Sequence, residues 1–344
     1  MRAIDCANIS KILVRPPNWI GDAVMSTAAL GALRAAFPSS EIVLAANHAV
    51  CELMRPHPFC DRVILYDKKG PHRGIGGLWK FCGLLARERF DLAILLQNAI
   101  EAAIMARLAG IKTRAGYSTD GRKILLTHAV RLSKGARRLH HSQYYMQMLA
   151  GLGIQPAGRQ LRLQCTDEEK RSAGSVLGHG RWAAINPGAA YGSAKRWRPE
   201  RFSQVANALA SEFGYNLLLV GGPGETAIGS EIEAGMRSKP LNMVGRTSVR
   251  QLMALLASVD LVITNDSGPM HVAAAFDRPI VALFGPTDHC ATSPLCSRFL
   301  LVRKEIECAP CFKRQCPTDH RCMEDISVDD VLEAVGALLA KGMK

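Results

Sequence analysis

"KILVRPPNWIGDAVMST", residues 11–27, begins with a short apolar strand, 12–14, that runs through a tight turn into an apolar helix. This strand–turn–helix order opens a Rossmann-type domain, in which the turn normally carries the glycine fingerprint G-x-G-x-x-G and holds a dinucleotide phosphate. Here the turn lacks that fingerprint and instead presents the carboxylate of Asp22. The stretch therefore predicts a parallel α/β sheet whose first loop offers an acid where a phosphate would otherwise bind.

Apolar runs typical of strands alternate with helical patterns along the whole chain. Short, continuous apolar strands separated by helices indicate a parallel sheet covered on both faces. The predicted strands are 12–14, 41–46, 62–66, 91–96, 182–186, 216–222, 241–245, 260–265 and 279–285. The predicted helices are 23–36, 76–88, 99–109, 199–213, 225–236, 248–258, 269–276 and 327–341.

Two such series predict two doubly wound Rossmann-like domains, 1–165 and 166–344, the second with a C-terminal helix. The break is placed at Thr166, because Thr166 and Glu169 form a capping box that starts a new helix. Ligands of such sheets bind beyond the carboxyl ends of the strands. Two facing domains would then form a cleft, with one substrate bound to each.

The charge is strongly asymmetric. Of the net +13, residues 1–165 carry 23 lysines and arginines against 10 acids, while the remainder carries 20 of each. A one-sided basic field attracts nucleic acid, an anionic membrane or a phosphorylated substrate. The densest stretch, 111–141, has Asp120 as its single acid and is equally well interpreted as a solvated face.

No run of 18 apolar residues occurs, so a transmembrane helix is not expected. The first residues carry an early acid and no long apolar stretch, which favours a cytoplasmic protein. Residues 68–90 combine Trp79, Phe81, Leu84 and Leu85 with flanking basic residues. They predict either an amphipathic helix at a membrane interface or, more commonly for such a pattern, a helix that faces the core.

Three loops that follow predicted strands are suited to a nucleotide diphosphate. Gly188, Ser193 and Lys195 lie in the first, "NPGAAYGSAKRW", where small residues let backbone amides approach an anion. "GGPGE" in the second offers Glu225 to a ribose hydroxyl, although an acid there also suits the helix dipole. The third, "TNDSGPMH", begins a helix that Ser267 or Asp266 is expected to cap. The same pattern is equally typical of an ordinary capped helix with a core histidine at His271.

No Asp-x-Asp occurs, so the usual acidic device for holding a divalent ion against a sugar-nucleotide is missing from the sequence. A metal-independent diphosphate site would rely on lysine and helix amides, which these loops offer.

The motifs "ILVRPPNWIGDAVMS", "NPGAAYGSAKRWRPERF", "GGPGE" and "TNDSGPMHVAAAFDRPIVALFGPT" together resemble the ADP-heptose:lipopolysaccharide heptosyltransferases, most closely the heptosyltransferase II branch. The resemblance spans essentially the whole chain. It implies a GT-B glycosyltransferase, two Rossmann-like domains facing across a cleft, that transfers heptose from ADP-heptose to heptosyl-Kdo2-lipid A with inversion and without a metal. It also implies a cytoplasmic enzyme at the inner face of the inner membrane.

The same resemblance assigns roles to residues. Asp22 matches the proposed catalytic base on the acceptor-binding domain, and Lys195 matches a lysine on the donor phosphates. The remaining matches are donor-binding residues Gly188, Ser193, Glu225, Asp266, Ser267, Gly268, Met270 and His271, and acceptor-side residues Asn18, Trp19 and Gly21. Asn18 replaces a serine of some relatives, so its role stays open.

A cluster of cysteines lies near the C-terminus. Four thiols within fifteen residues suit a structural zinc ion or an iron–sulfur cluster, and reduced or disulfide-prone thiols are an equal alternative. The segment is far in sequence from the phosphate loops, so any metal is expected to serve structure and not chemistry. The candidate ligands, spaced C-x2-C-x4-C-x5-C, are Cys308, Cys311, Cys316 and Cys322.

Alternatives remain open at this point. Within the same class, heptosyltransferase I or another ADP-heptose-dependent transferase would share the donor loops. A basic nucleic-acid-binding protein would need interleaved aromatics in 111–141, which has only Tyr117. An NAD-dependent dehydrogenase is disfavoured because the first turn of each domain lacks the glycine fingerprint.

Overall fold

A computed structural model describes residue 4 and residues 8–133, 135–156 and 158–340. The chain divides into two compact units, Met1–Gln164 and Cys165–Lys344, one residue before the break expected from the capping box. That capping box is present: the Thr166 hydroxyl accepts from the Glu169 amide, and the Glu169 carboxylate accepts from the Thr166 amide.

The first unit is a doubly wound parallel sheet. Its six strands run in the order β3-β2-β1-β4-β5-β6, the strand order of a Rossmann fold. The strands are β1 (Lys11–Arg15), β2 (Glu41–Ala46), β3 (Arg62–Leu65), β4 (Leu92–Leu95), β5 (Thr113–Tyr117) and β6 (His128–Val130). The helices are α1 (Ile20–Met25), α2 (Thr27–Ala36), α3 (His48–Leu53), α4 (Gly74–Arg87), α5 (Ile100–Leu108) and α6 (His141–Ala150).

The second unit repeats this architecture. Its strands run β12-β11-β10-β7-β8-β9, which is the same order read from the other edge. The strands are β7 (Trp182–Asn186), β8 (Asn216–Leu219), β9 (Leu241–Asn242), β10 (Leu261–Asn265), β11 (Ile280–Phe284) and β12 (Phe299–Arg303). The helices are α7 (Asp167–Leu177), α8 (Pro199–Ser211), α9 (Thr226–Ala234), α10 (Val249–Ser258), α11 (Gly268–Ala275), α12 (His289–Thr292), α13 (Arg321–Glu324) and α14 (Val328–Ala340).

The predicted strands are found, and the elements that the sequence did not predict are mostly peripheral. β5, β6 and β12 lie at or next to a sheet edge and contain half-exposed or polar residues, so they lack the continuous apolar run of a central strand. The helix predicted at 23–36 is divided by Ser26, whose hydroxyl donates to the Ala23 carbonyl. Helix α6 was also not predicted, and it supplies part of the site described below.

Parallel pairing decides where the loops lie. In the first unit, β1 pairs with β2 and β4 in parallel, and in the second unit β7 pairs with β8 and β10 in parallel. Each sheet therefore reverses its winding direction beside its first strand, and a crevice opens there at the carboxyl ends. The loop after β1 carries Asp22, and the loop after β7 carries Lys195.

Helix α4 uses its apolar residues in two ways. Phe81 and Leu85 are fully buried in the core of the first unit, as the core-facing interpretation of 68–90 predicts. Trp79 and Leu84 are exposed, with 58% and 39% of their surfaces accessible, and Ile75 is exposed as well. The helix therefore packs on the core and also presents an apolar face to solvent.

His57 ties the segment after α3 to the end of the first unit. Its Nε2 donates to the Arg162 carbonyl at 2.9 Å, and its Nδ1 accepts from the Phe59 amide at 3.2 Å. The Arg162 amide in turn donates to the Thr27 hydroxyl on α2. Burial lowers the pKa of His57 to about 4, partly offset by the bond to Arg162.

We therefore expect the first unit to lose stability in mild acid. An unfolded histidine titrates near 6.5, so between roughly pH 6.5 and 4 the unfolded chain binds a proton that folded His57 does not. Stability from this group is complete above that range and falls by at most about 1.4 kcal/mol per pH unit within it. Urea unfolding of the first unit at pH 7 and pH 5, followed by hydrogen exchange of its peptides, measures the loss.

His57→Gln is the matched control, because the amide can replace both hydrogen bonds and does not titrate. The variant should lose roughly 1–2 kcal/mol less than the wild type between pH 7 and pH 5. Equal losses in the two proteins would assign the acid sensitivity to other groups.

Candidate active site

Asp22 lies in the first turn of α1, directly beyond the carboxyl end of β1. Its Oδ1 is 3.0 Å from Nδ1 of His141, the first residue of α6, and the two side chains are 27% and 40% exposed. The carboxylate is thus accessible and also oriented by a neighbouring imidazole. An accessible, oriented carboxylate at this position can accept a proton from a bound hydroxyl.

Tyr145, one turn further along α6, also interacts with Asp22. Burial chiefly, and then the negative charge of Asp22, raise the pKa of Tyr145 well above its usual value, so the phenol remains protonated. Sequence reasoning missed both α6 residues. The adjacent histidines at 140 and 141 were a visible signal, but nothing in their spacing links them to a turn more than 100 residues earlier.

The remaining acceptor-side residues form the turn itself. Trp19 is the N-cap of α1, makes no side-chain cap and is 53% exposed. The Asn18 carbonyl accepts from Nδ2 of Asn47 at 2.9 Å, which holds the backbone of the turn at Asn18. Gly21 is partly buried beside Asp22.

Two arginines near this edge are internal. Arg15, at the end of β1, contacts the Ala45 carbonyl and Oε1 of Gln97, and burial lowers its pKa to about 10. Arg122 donates to the carbonyls of Tyr117 and Gln97 and is fully buried. Although Arg122 belongs to the dense basic stretch 111–141, it is buried and bonds the backbone, so it is not part of a solvated face.

In the second unit, Lys195 forms a buried ion pair. Its Nζ lies 2.6 Å from Oδ2 of Asp266, and the side chains are only 12% and 4% exposed. The same Oδ2 accepts from the Thr287 hydroxyl at 2.6 Å. The cation predicted for the phosphates is therefore placed between the loops that follow β7 and β10, and an anionic ligand would share it with Asp266.

Glu225 joins the loops after β7 and β8. Its Oε2 accepts from the Gly222 amide at 2.7 Å, and the residue is 9% exposed. The carboxylate fills the space beside Gly188, where a Cβ atom would lie 2.0 Å from Glu225 Oε1. Gly188 is thus needed for this close approach, and the Glu225 carboxylate is a hydrogen-bond acceptor at this edge of the sheet.

The start of α11 differs from the prediction. Ser267 is the N-cap residue, but its hydroxyl makes no cap bond, so the expectation that Ser267 or Asp266 caps this helix is wrong. Ser267 Oγ instead lies 3.2 Å from Nδ2 of Asn186, and Asp266 is engaged by Lys195. With both side chains drawn aside, the positive end of α11 faces the carboxyl edge without a side-chain cap.

Four more predicted donor-binding residues lie in the loops after β7 and β10. Gly268 is the first residue of α11, while Met270 and His271 are buried in its first turn, at 0% and 3% exposed. Ser193 is exposed at the start of the short 3₁₀ turn Ser193–Lys195. Sequence reasoning did not single out Asn186, whose buried Oδ1 makes no hydrogen bond among the described residues.

The four clustered cysteines are free thiols that differ in environment. Burial, with smaller contributions from the other three thiols, raises the pKa of Cys322 to about 11. The Thr318 hydroxyl is the main cause that lowers the pKa of Cys316. In the part of the chain that the structure describes, three metal-ligand atoms come within 4.8 Å of one another only at Asp288, His289 and Cys290. The four-cysteine metal site stays a prediction, and the residues do not form a preassembled cage.

A family model described as glycosyltransferase family 9 (heptosyltransferase) matches residues 78–321. The chain belongs to glycosyltransferase family 9. This glycosyltransferase is 31% identical over 346 residues to lipopolysaccharide heptosyltransferase 2 of Salmonella typhimurium, covering 96% of this chain and 99% of the relative. Membership favours the transferase over the nucleic-acid-binding and dehydrogenase alternatives.

Two solved structures resemble the enzyme over nearly its full length. ADP-heptose lps heptosyltransferase II of Escherichia coli has a TM-score of 0.84 at 29% identity, covering 97% of this chain and 100% of that one. A family 9 glycosyltransferase of Veillonella parvula has a TM-score of 0.90 at 26% identity, covering 99% and 100%. The prediction of a GT-B enzyme with two doubly wound domains is confirmed.

Among the described helices, none combines the length and the apolar character needed to cross a membrane.

We expect Lys195→Gln in this glycosyltransferase to weaken ADP binding by roughly 10–100-fold, the effect of losing a charge-assisted contact. Glutamine keeps a donor within reach of Asp266, so the buried carboxylate is not left without a partner. If Lys195 binds the diphosphate both before and during transfer, its loss should raise KM as well. Calorimetry with ADP gives the affinity.

Lys170→Gln removes the same charge from an exposed pair on α7 and should leave ADP affinity unchanged. Wild-type affinity in Lys195→Gln would remove Lys195 from the donor site.

Proposed function

We propose that this glycosyltransferase transfers L-glycero-D-manno-heptose from ADP-heptose to the heptosyl-Kdo2-lipid A acceptor of the lipopolysaccharide inner core, inverting the anomeric centre without a metal ion. The names of its relatives, lipopolysaccharide heptosyltransferase 2 and ADP-heptose lps heptosyltransferase II, support this choice of donor and acceptor. In this proposal the first unit, with Asp22, binds the acceptor, and the second unit binds the donor.

The observation that carries the proposal is the arrangement at the carboxyl edge of the second sheet. Lys195 supplies a buried positive charge, and the start of α11 supplies the positive end of a helix beside it. Glu225 supplies a carboxylate that the Gly222 amide holds in place. It follows β8, which is two strands away from β10, the strand that precedes α11. The lysine and the start of the helix are suited to bind the negative charge of a diphosphate. The carboxylate is suited to accept a hydrogen bond from a ribose hydroxyl.

The chemistry is a single displacement. The acceptor hydroxyl oxygen bonds to the anomeric carbon of the heptose, its proton passes to the Asp22 carboxylate, and the bond from that carbon to the β-phosphate oxygen breaks. The electron pair of that bond leaves on ADP, where Lys195 and the start of α11 stabilise the developing negative charge. A β-linked donor thereby gives an α-linked product.

His141 has a defined part in this step. Its hydrogen bond to Oδ1 orients the Asp22 carboxylate, which accepts the proton of the acceptor hydroxyl. Heptosyltransferase I or another ADP-heptose-dependent transferase would use the same donor edge, so the acceptor is the finer part of the proposal.

A donor and acceptor screen tests the function. ADP-heptose, UDP-sugars and GDP-sugars are each offered with heptosyl-Kdo2-lipid A and with Kdo2-lipid A, in the presence of EDTA. Transfer only from ADP-heptose and only to the heptosylated acceptor supports the proposal. Transfer to Kdo2-lipid A alone would assign the first heptose addition, and loss of activity in EDTA would overturn metal-independence.

Asp22→Asn should reduce turnover by about 10²–10⁴-fold while leaving ADP affinity unchanged, because an amide cannot accept the proton and Asp22 does not contact the donor. Asparagine is close to isosteric and can still hydrogen-bond His141. Steady-state kcat together with calorimetry separates the two effects. Turnover near that of the wild type would exclude Asp22 as the base.

We further propose that the first unit brings the enzyme to an anionic membrane surface at the inner face of the inner membrane. The exposed residues of α4 support this, since Ile75 and Trp79 share the helix with exposed Lys80 and Arg87, and exposed Arg73 directly precedes it. A basic residue near an anionic surface contributes about 1 kcal/mol at low salt, and the attraction is screened within a Debye length.

Replacing Arg73, Lys80 and Arg87 by glutamine should therefore reduce binding to vesicles that contain anionic lipid by at least about tenfold, and salt should do the same. The control removes the same charge from exposed residues of the second unit, Lys170, Arg171 and Lys239, and should bind as the wild type does. Co-sedimentation measures both. Equal losses in the two triple variants, or binding that salt does not weaken, would contradict a role for α4.

A further inference from the structure

The cysteine-rich segment, residues 308–322, lies directly against the loop that carries Lys195. The Tyr191 hydroxyl donates to the Phe312 carbonyl at 2.6 Å, and the Ala194 amide donates to the Arg314 carbonyl at 3.0 Å. Nε2 of His320 donates to the Ala194 carbonyl at 2.7 Å. The peptide groups on both sides of Ala194 are therefore held from outside their own loop, immediately before Lys195.

The approach is close enough to dictate a residue type. A Cβ atom at position 192 would lie 2.2 Å from the Arg314 carbonyl oxygen, so only glycine fits there. The Tyr191 ring has the Arg314 guanidinium 5.5 Å and Lys195 Nζ 5.0 Å from its centroid. The segment thus reaches the same aromatic ring as the lysine itself.

The segment also contacts the loop after β11, which supports Asp266. The Phe312 amide donates to the Pro286 carbonyl at 2.8 Å, and the next residue, Thr287, bonds Asp266. A Cβ atom at Gly285 would lie 2.5 Å from Met323, next to the segment's last cysteine. The segment therefore touches the loop that carries Lys195 and the loop whose Thr287 supports Asp266.

This placement has a mechanical consequence. Lys195 ends a 3₁₀ turn of three residues, which has little internal hydrogen bonding of its own. A long, flexible lysine side chain holds its charge at one place only if its backbone is fixed. Here the fixing bonds come from a segment more than 100 residues later in the chain.

We propose that the cysteine-rich segment is a positioning element for the donor site, with His320 as the positioning residue that fixes the Lys195 loop. His320 has a left-handed backbone, with φ of 58°, and its side chain bonds the Lys195 loop instead of capping α13, which it precedes. The identity of the donor rests on the function proposed above, whereas the positioning of the loop does not.

The test compares His320→Ala with His320→Gln. Glutamine carries an N–H that can reach the Ala194 carbonyl, whereas alanine cannot. His179→Ala, an exposed histidine of the same unit, is the matched control. Hydrogen exchange of the peptide that contains Ala194 is the readout, because it requires neither substrate nor activity.

Loss of one such hydrogen bond should speed exchange of this peptide by about five- to tenfold in His320→Ala and weaken ADP binding by a similar factor. His320→Gln should recover most of both, and peptides from the core of the second unit should be unchanged. Unaltered exchange in His320→Ala, or a His320→Gln variant as impaired as His320→Ala, would overturn the proposal. Faster exchange throughout the second unit would also overturn it, because His320 would then support the fold and not the loop.

The two proposals fail separately. If the wild type does not bind ADP, the proposed donor is wrong, and the exchange of the Ala194 peptide still decides the role of His320. If the wild type binds ADP and both His320 variants bind it equally well, the donor stands and the positioning role is wrong.

Discussion

Parallel pairing of the strands is the constraint on which every functional feature of this enzyme depends. In a parallel sheet all strands end at one edge, so the loops that follow them collect there. In the second unit β7 and β10 are neighbours, and for this reason Lys195 and Asp266, 71 residues apart in sequence, meet at 2.6 Å. Glu225 reaches the same edge because β8 is the other neighbour of β7.

The Lys195–Asp266 pair explains how a largely buried lysine can remain charged when no ligand is bound. A lysine that is 12% exposed would be costly without a partner, and Asp266 provides one while Thr287 supports the carboxylate. The Lys195 ammonium therefore has a defined position before any ligand binds. Preorganised charges and dipoles of this kind stabilise developing charge without reorganising during a reaction.

The basic character of the first unit is distributed between surface and interior. Arg15 and Arg122 are buried around Gln97 and hold the loop after β4, so they do not contribute to a surface field as solvated side chains do. The exposed basic residues on α4 lie beside exposed Ile75 and Trp79, and they combine charge with apolar surface. A count of charges therefore shows which unit carries the basic excess, but not which arginines are on its surface.

The sequence by itself determined the two parallel sheets, their central strands and the loops after β1, β7, β8 and β10, because buried parallel strands are continuous apolar runs and their loops carry distinctive small and polar residues. It did not determine β5 or the edge strands β6 and β12, which contain polar or half-exposed residues and so lack that signal. Only the tertiary structure showed that His141 contacts Asp22 and that His320 bonds the loop that carries Lys195. It also showed that Ser267 does not cap α11. These contacts join residues far apart in sequence. They depend on strand order and on how loops fold back over a sheet edge, which local composition and periodicity do not encode.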